Sequence, residues 1–99
     1  MLDTDMINAI VESVKKIQGI THTEFDTQIT SWVNAGVIDL GRLGVISSNQ
    51  QTINSIDDLV RTAITTYVLQ FLDVKNAKLY EDSYKYQADT LRHITEYIQ

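Results

Sequence analysis

Asp89, His93 and Glu96 come nearest, by type and spacing, to a chemical site in this sequence of 99 residues. Intervals of four and three residues put them on one face of a helix, where they could act as metal ligands or as an acid–base pair. A zinc site needs three well-spaced protein ligands, and the two histidines of the chain form no HExxH or comparable motif. An exposed ion pair between Asp89 and His93 explains the spacing better. His22, at a predicted helix start, carries an equally weak signal.

Asp57 and Asp58 are the other candidate pair, as two adjacent carboxylates. They fall in the first turn of a predicted helix, where unpaired backbone N–H groups favour acidic side chains, so a structural role suffices. The sequence has no glycine-rich phosphate loop after a strand and no GxSxG motif, and it contains no cysteine for a Cys/His pair. We therefore predict no catalytic, cofactor-binding or metal-binding residue, and no enzymatic activity.

Length and composition narrow the class of protein. Ninety-nine residues suffice for one domain with a single modest core, and we expect residues 1–99 to form it. Eight basic against thirteen acidic residues give a formal charge of -5, which opposes binding to nucleic acid. The absence of cysteine excludes a disulfide framework. The first residues, MLDTDMINAI, lack the pattern of a secretory signal, and no uninterrupted apolar stretch approaches the roughly 18 residues of a membrane span.

The chain has no proline and only four glycines, a composition that favours helices over many short strands. Apolar residues at intervals of three and four predict a helix at 4–18 that ends at Gly19, and a second helix at 24–40 with Thr21 or Thr23 as its N-cap. Gly36 inside the second helix costs roughly 1 kcal/mol relative to alanine, so we interpret it as a point of close helix approach.

The segment from Gly41 to Ser55 has no helical stripe and predicts a long loop. Ser55 and Asp58 resemble a capping box that opens a third, central helix at 56–72, and a fourth follows at 82–98. The fold class is therefore all-α: a small four-helix bundle with a long loop between helices two and three. The predicted core consists of Phe25, Ile29, Trp32, Val33, Val37, Ile64, Val68, Phe71 and Leu91.

The last quarter of the chain carries four of its five tyrosines. Its apolar residues form only a narrow seam, which predicts a loosely packed C-terminal helix. Tyrosine and arginine are enriched where proteins bury surface against partners. The alternative is that these tyrosines lie flat over a small core with their hydroxyls in water. With the loop as a second contact surface, the candidate partner or subunit interface comprises Arg42, Val45, Ile46, Tyr80, Asp82, Tyr84, Tyr86, Arg92 and Tyr97.

The order of these parts resembles the small head–tail connector, or adaptor, proteins of tailed bacteriophages, also labelled phage DNA-packaging proteins. The resemblance covers nearly the whole chain: an amphipathic helix, a Trp-containing helix ending in VIDLGRLGV, a polar loop, and DDLVRTAITTYVLQFLD leading into a tyrosine-rich helix. Many such proteins begin the second helix with an acidic run, of which Glu24 and Asp26 are the match. An aromatic-Asn/Asp-Arg signature often follows the third helix, and here Tyr80, Glu81 and Asp82 approximate it without the arginine.

The resemblance implies a structural function. Connectors of this kind look like helical subunits that join into a homo-oligomeric ring, matched to the symmetry of the portal, at the DNA exit of the filled head. The expected partners are other copies of the chain, the portal protein, and the stopper or tail-completion protein. DNA would pass without specific binding, which suits a negative charge, and no membrane is involved. The expected location is the head–tail interface of the virion, after assembly in the host cytoplasm.

Two other classes of protein stay open on the residues alone. A small helical DNA-binding regulator should carry clustered Arg, Lys, Asn and Gln on one helix, and no predicted helix does. An adaptor that binds one host or phage protein through the tyrosine-rich helix needs the same features as a connector. Ring formation distinguishes the adaptor from the connector.

Overall fold

The computed structural model describes residues 4–43 and 58–92. These ranges hold four α-helices and one short 3-10 helix, with no strand among them. The helices are α1 (Thr4–Gln18), α2 (Asp26–Arg42), α3 (Asp58–Leu72) and α4 (Ala77–Arg92), and the 3-10 helix is Val74–Asn76. The all-α prediction is confirmed. No helix in the described ranges is long and apolar enough to span a bilayer.

The end of α1 follows the predicted cap. Gly19 has φ +70°, in the left-handed region that glycine adopts without steric cost. The Ile20 N–H donates to the Lys15 carbonyl at 2.8 Å, and the Gly19 N–H donates to the Lys16 carbonyl at 3.3 Å. This pair of bonds is the Schellman pattern, which satisfies carbonyls that the helix end leaves free.

The start of α2 differs from the prediction. Phe25, rather than Thr21 or Thr23, occupies the N-cap position, and no side chain caps the helix. Thr23 contributes only its backbone carbonyl, which accepts from the Asp26 N–H at 3.2 Å. The helix therefore begins two residues later than predicted, and this shift takes Phe25 out of the apolar stripe of α2.

The predicted loop at 41–55 begins too early. Gly41 and Arg42 complete α2, and the Leu43 N–H closes the last turn by donating to the Asp39 carbonyl at 3.0 Å. The rest of that segment, including the Ser55 side of the predicted capping box, lies outside the described residues.

Helix α3 is central, as predicted, because it contacts each of the other three helices. Its buried apolar residues are Val60, Ala63, Ile64, Val68 and Leu69. They meet Ile10 and Val14 of α1, and Ile29, Val33, Val37 and Leu40 of α2, in one apolar cluster. Burial of this cluster is the main favourable term that holds the helices together.

Gly36 is the point of close approach that the sequence predicts. A Cβ atom placed on it would lie 3.1 Å from Cδ2 of Tyr67 and 3.5 Å from Cγ2 of Ile64. Both neighbours belong to α3, so the missing side chain lets α2 and α3 pack closely. This contact sets the position of Tyr67, which lines the surface described below.

The prediction of the core is wrong for two residues. Phe25 and Phe71 are 44% and 42% exposed. Phe25 stands just outside α2, and Phe71 lies in the last turn of α3, beside Trp32 rather than beneath it. Trp32 is half-buried and packs against the core. The other six members of the predicted core, Ile29, Val33, Val37, Ile64, Val68 and Leu91, are buried.

Helices α3 and α4 are separate, and Asp73 marks the break. Its backbone leaves the helical region at φ -104°, ψ 80°, and its carboxylate accepts from the backbone N–H of Asn76 at 3.4 Å and from the Asn76 side chain at 3.1 Å. Asp is a favoured N-cap residue for this reason. Asp73 thus caps the 3-10 helix Val74–Asn76, and α4 follows it directly at Ala77, five residues before the predicted start at 82.

The prediction of a loosely packed C-terminal helix is wrong for the described range. Helix α4 runs back along α3, and Tyr84, Ala88 and Leu91 are buried against it. The side chain of Gln87 donates to the Thr66 hydroxyl at 3.2 Å. The seam is narrow in sequence, but its buried members belong to the common core, and the Tyr84 ring packs edge to face on Tyr67 of α3.

Candidate functional site

The last turns of α2 hold a polar centre that also involves α4. Asp39 and Arg42, three residues apart, form an ion pair. The hydroxyl of Tyr84 donates to the other carboxylate oxygen of Asp39 at 2.6 Å. The distance is typical of a charge-assisted hydrogen bond. This bond connects α2 with α4 through two residues, Asp39 and Tyr84, that are 45 positions apart in the sequence.

The surroundings of this centre shift two tyrosine pKa values upward. Burial, followed by the hydrogen bond to the Asp39 carboxylate, raises the pKa of Tyr84 far above its usual value. Burial, followed by the charge of Asp39, also raises the pKa of Tyr67. Both hydroxyls are therefore neutral across the physiological pH range, and that of Tyr84 serves as a hydrogen-bond donor rather than as a base.

A row of aromatic rings leads away from the polar centre. The Tyr84 and Tyr67 ring centroids are 5.0 Å apart and those of Tyr67 and Phe71 are 5.1 Å apart, both edge to face. Phe71 then stacks on Trp32, with centroids at 5.8 Å and planes at 19°. Such contacts add about 0.5–1.5 kcal/mol each beyond area burial. The row crosses from α4 over α3 to α2.

The polar centre and three of the four rings of this row line an open groove of about 610 Å³ between α2, α3 and α4. We call it the polar groove. Its lining residues are Asp39, Arg42, Leu43, Tyr67, Gln70, Phe71, Glu81, Tyr84, Lys85, Ala88, Asp89 and Arg92. Acidic and basic residues are equal in number, and Lys85 pairs with Glu81 at 2.9 Å. An aromatic floor with charges of both signs at the rim suits contact with a polypeptide.

The predicted interface residues divide between several places. Arg42, Tyr84 and Arg92 line the polar groove. Tyr80 is half-buried against the core, and Asp82 is exposed and pairs with Lys78 at 3.1 Å. The structure therefore brings together three of the nine, whereas Val45, Ile46 and Tyr97 lie outside the described residues.

Tyr86 is the most exposed of the described tyrosines, at 76%. It borders a smaller groove of about 200 Å³ between α3 and α4, together with Leu59, Thr62 and Leu91. Leu59 is also exposed, so the two side chains make an apolar surface on the side of α3 away from α2. Exposed apolar side chains that lie together are typical of a surface that contacts another protein, and internal packing does not account for them.

The chemical candidates do not assemble into a site within the described residues. His22 is exposed in the turn before α2, with its ring 5.3 Å from that of Phe25. Asp89 is exposed on α4, while its predicted partners His93 and Glu96 lie outside the described residues, as does Asp57. No group of three His, Asp or Glu residues in the described ranges could hold a metal ion.

Sequence reasoning missed one surface, which we call the aromatic patch: Phe25, Trp32 and Phe71. These rings line a shallow groove with Ile20 and Leu72. Helical spacing assigned all three to the core, because periodicity tells which face of a helix is apolar but not where the neighbouring helix ends. The sequence also did not show that the N-cap of α2 is Phe25, whose side chain cannot cap the helix.

Comparison with protein families matches residues 10–98 to the family described as phage connector protein. The match covers all of α2, α3 and α4, and therefore every described residue of the polar groove. Comparison with curated proteins gave no match, and comparison with solved structures gave none either.

Proposed function

This chain belongs to the phage connector protein family, and from that membership we propose that it is a subunit of the head–tail connector of a tailed phage. In this proposal, copies of the chain form a ring beneath the portal. The ring extends the DNA channel and presents a platform for the stopper or tail-completion protein. Residues 1–99 act as one helical connector domain in each copy.

The observation that carries the proposal is the family match over residues 10–98, which leaves out only the first nine residues and the last one. Connector proteins are structural, and a helical bundle whose surface grooves suit polypeptides agrees with that role. The formal charge of -5 agrees with it as well, because a negative channel wall repels phosphates and lets DNA move through.

The proposed interface with portal or tail components is the outer surface of α4 and the rim of the polar groove. Tyr86 and Arg92 are exposed and available for such a contact. Tyr84 is buried and bonded to Asp39, so it would act by positioning α4 rather than by touching a partner. Arg42, held by Asp39 at the groove rim, would present its remaining guanidinium donors to a carboxylate or carbonyl of the partner.

Attachment to filled heads tests this proposal. The protein is mixed with portal-bearing heads that lack the connector and is sedimented with them. The wild-type chain should co-sediment, and the double variant Tyr86→Ala, Arg92→Ala should attach at least about tenfold more weakly, since exposed aromatic and arginine residues dominate interface energies. The matched control is Asn8→Ala, another exposed helical position that lies on α1.

Circular dichroism should show the same helix content for all three proteins, because each substitution removes an exposed side chain. A wild-type chain that fails to bind the heads would contradict the connector role. A double variant that attaches like the control would leave that role intact and exclude this surface of α4 as the contact.

A further inference from the structure

The aromatic patch is a site without a partner inside the described chain. Phe25 and Phe71 together leave much of two phenyl rings in water, and half-buried Trp32 stacks on Phe71. Aromatic surface of this kind is concentrated at protein contacts rather than scattered singly. Glu24 is the only ionisable residue among those that line the groove. It makes no ion pair within the described residues. The patch therefore suits an apolar group accompanied by a positive charge.

The junction between α3 and α4 carries such a combination. Val74 and Leu79 are 78% and 67% exposed, the largest exposed fractions among the apolar aliphatic side chains of the described ranges. Lys75 and Lys78 lie between them in the same six residues. We call these four residues the junction knob. Apolar side chains this exposed, at a turn with two lysines, gain nothing from internal packing.

The charges of the two surfaces are complementary. Lys78 pairs with Asp82 at 3.1 Å, but Lys75 has no ion pair within the described residues. The Asp73 carboxylate, whose pKa is lowered mainly by its hydrogen bond with Asn76 and less by the charge of Lys75, lies two residues before Lys75. Lys75 makes no close ion pair with it, so Lys75 is the more available of the two cations of the knob, and Glu24 is the anion of the patch. Between copies of a chain with net charge -5, a contact of opposite local charges is favoured over other juxtapositions.

We propose that the junction knob of one copy docks against the aromatic patch of the next, with Lys75 facing Glu24. This inference rests on the ring proposed above, and it names the surfaces through which neighbours meet. In this proposal each copy uses its patch toward one neighbour and its knob toward the other, which makes the contact heterologous, and heterologous contacts form a ring when the rotation between neighbours closes. A second copy is the natural occupant because the two complementary surfaces belong to the same chain.

The two surfaces lie near the same end of the helices. The Gln18 side chain, at the end of α1, donates to the Asp73 carboxylate at 3.4 Å and so connects the patch side of that end with the junction. Subunit contacts at this end leave Tyr86 and the outer face of α4 free for a different partner. A ring subunit needs this separation between contacts within the ring and contacts with the layers above and below it.

Cross-linking between single-cysteine variants tests the contact, and the cysteine-free chain makes the result unambiguous. Glu24→Cys and Lys75→Cys are prepared separately, assembled on portal-bearing heads alone or mixed, and treated with a short bismaleimide. The mixture should give cross-linked dimers, whereas either variant alone should give none. A ring that assembles from the mixture without a cross-link would overturn the contact.

Charge reversal is a second test of the same contact. Glu24→Lys and Lys75→Glu should each raise the concentration needed for half-maximal assembly by on the order of fivefold, as expected for loss of an exposed ion pair. The double variant Glu24→Lys, Lys75→Glu should recover the wild-type value. Asp5→Lys, the same charge change as Glu24→Lys but at the other end of α1, is the matched control for that variant and should assemble like the wild type.

The outcomes separate the two proposals. Rings that form normally in both single reversals, or a double variant that is no better than either single, would overturn the knob-to-patch contact while the connector role stands. A wild-type chain that forms no ring on the heads would overturn both the ring and this contact.

Discussion

Replacing Tyr84 with phenylalanine removes one hydroxyl and leaves the ring that packs between α3 and α4. The lost interaction is the 2.6 Å hydrogen bond to the Asp39 carboxylate. A hydrogen bond to a charged group contributes about 1.5–3 kcal/mol to stability. The Asp39 side chain is 21% exposed and keeps its ion pair with Arg42, so part of the lost bond is replaced by water. We therefore expect a loss near the lower end, about 1.5–2 kcal/mol.

That loss is large against the total stability of about 5–15 kcal/mol expected for a domain. Urea unfolding followed by circular dichroism measures it as a lower midpoint with an unchanged slope, because the folded surface stays the same. Tyr86→Phe is the matched control: its hydroxyl belongs to an exposed side chain and its loss should cost less than about 0.5 kcal/mol.

A double-mutant cycle with Asp39→Ala isolates the pair. The coupling between Tyr84→Phe and Asp39→Ala should be about 1 kcal/mol or more, since the two side chains touch. A loss for Tyr84→Phe no greater than that for Tyr86→Phe, with no coupling to Asp39, would refute the view that this bond holds α4 against α2.

Three further predictions concern the same part of the fold. Because the pKa of Tyr84 is raised, the folded state keeps a proton that the unfolded chain releases near pH 10, so the stability should be complete below about pH 10 and fall above it. Urea titrations should show a shallower fall for Tyr84→Phe, and an identical fall would contradict this. Gly36→Ala gains about 1 kcal/mol of helix propensity but places a Cβ 3.1 Å from the Tyr67 ring, and such overpacking costs about 1–3 kcal/mol. The net loss of about 1 kcal/mol should lower the thermal midpoint, whereas a higher midpoint would show that the ring moves aside freely. Trp32→Ala should cost about 3 kcal/mol and Phe71→Ala less, because Trp32 packs against the core whereas the Phe71 ring is 42% exposed; the reverse order in urea unfolding would contradict the described packing.

Local sequence signals predicted the features that depend on a few neighbouring residues. The spacing of apolar residues located α1 with its observed bounds, and Gly19 marked its end, because a glycine after an amphipathic stripe commonly adopts the left-handed conformation. Gly36 predicted close helix packing for a similar reason: a glycine that weakens a helix needs a compensating contact. Asp73 was missed, although an Asp three residues before Asn76 is a recognisable N-cap signal.

Features that depend on how helices overlap were not predictable. The exposure of Phe25 and Phe71 follows from where α2 begins and α3 ends relative to each other, which no periodicity encodes. The bond between Tyr84 and Asp39 joins residues 45 positions apart, and nothing in either segment indicates the other. The tyrosines of α4 were all assigned to a partner surface on composition, whereas the structure separates buried Tyr84 from exposed Tyr86.

The proposed connector role requires that this chain forms a ring on the portal. Negative-stain imaging of the purified chain mixed with the portal, together with a mass measurement of the complex, tests it most directly. A ring-forming subunit should add a ring-shaped layer with an open centre to one face of the portal, and should raise the mass by a whole multiple of the 11.3 kDa chain. Portals that stay bare while the chain remains monomeric at saturating concentration would contradict it.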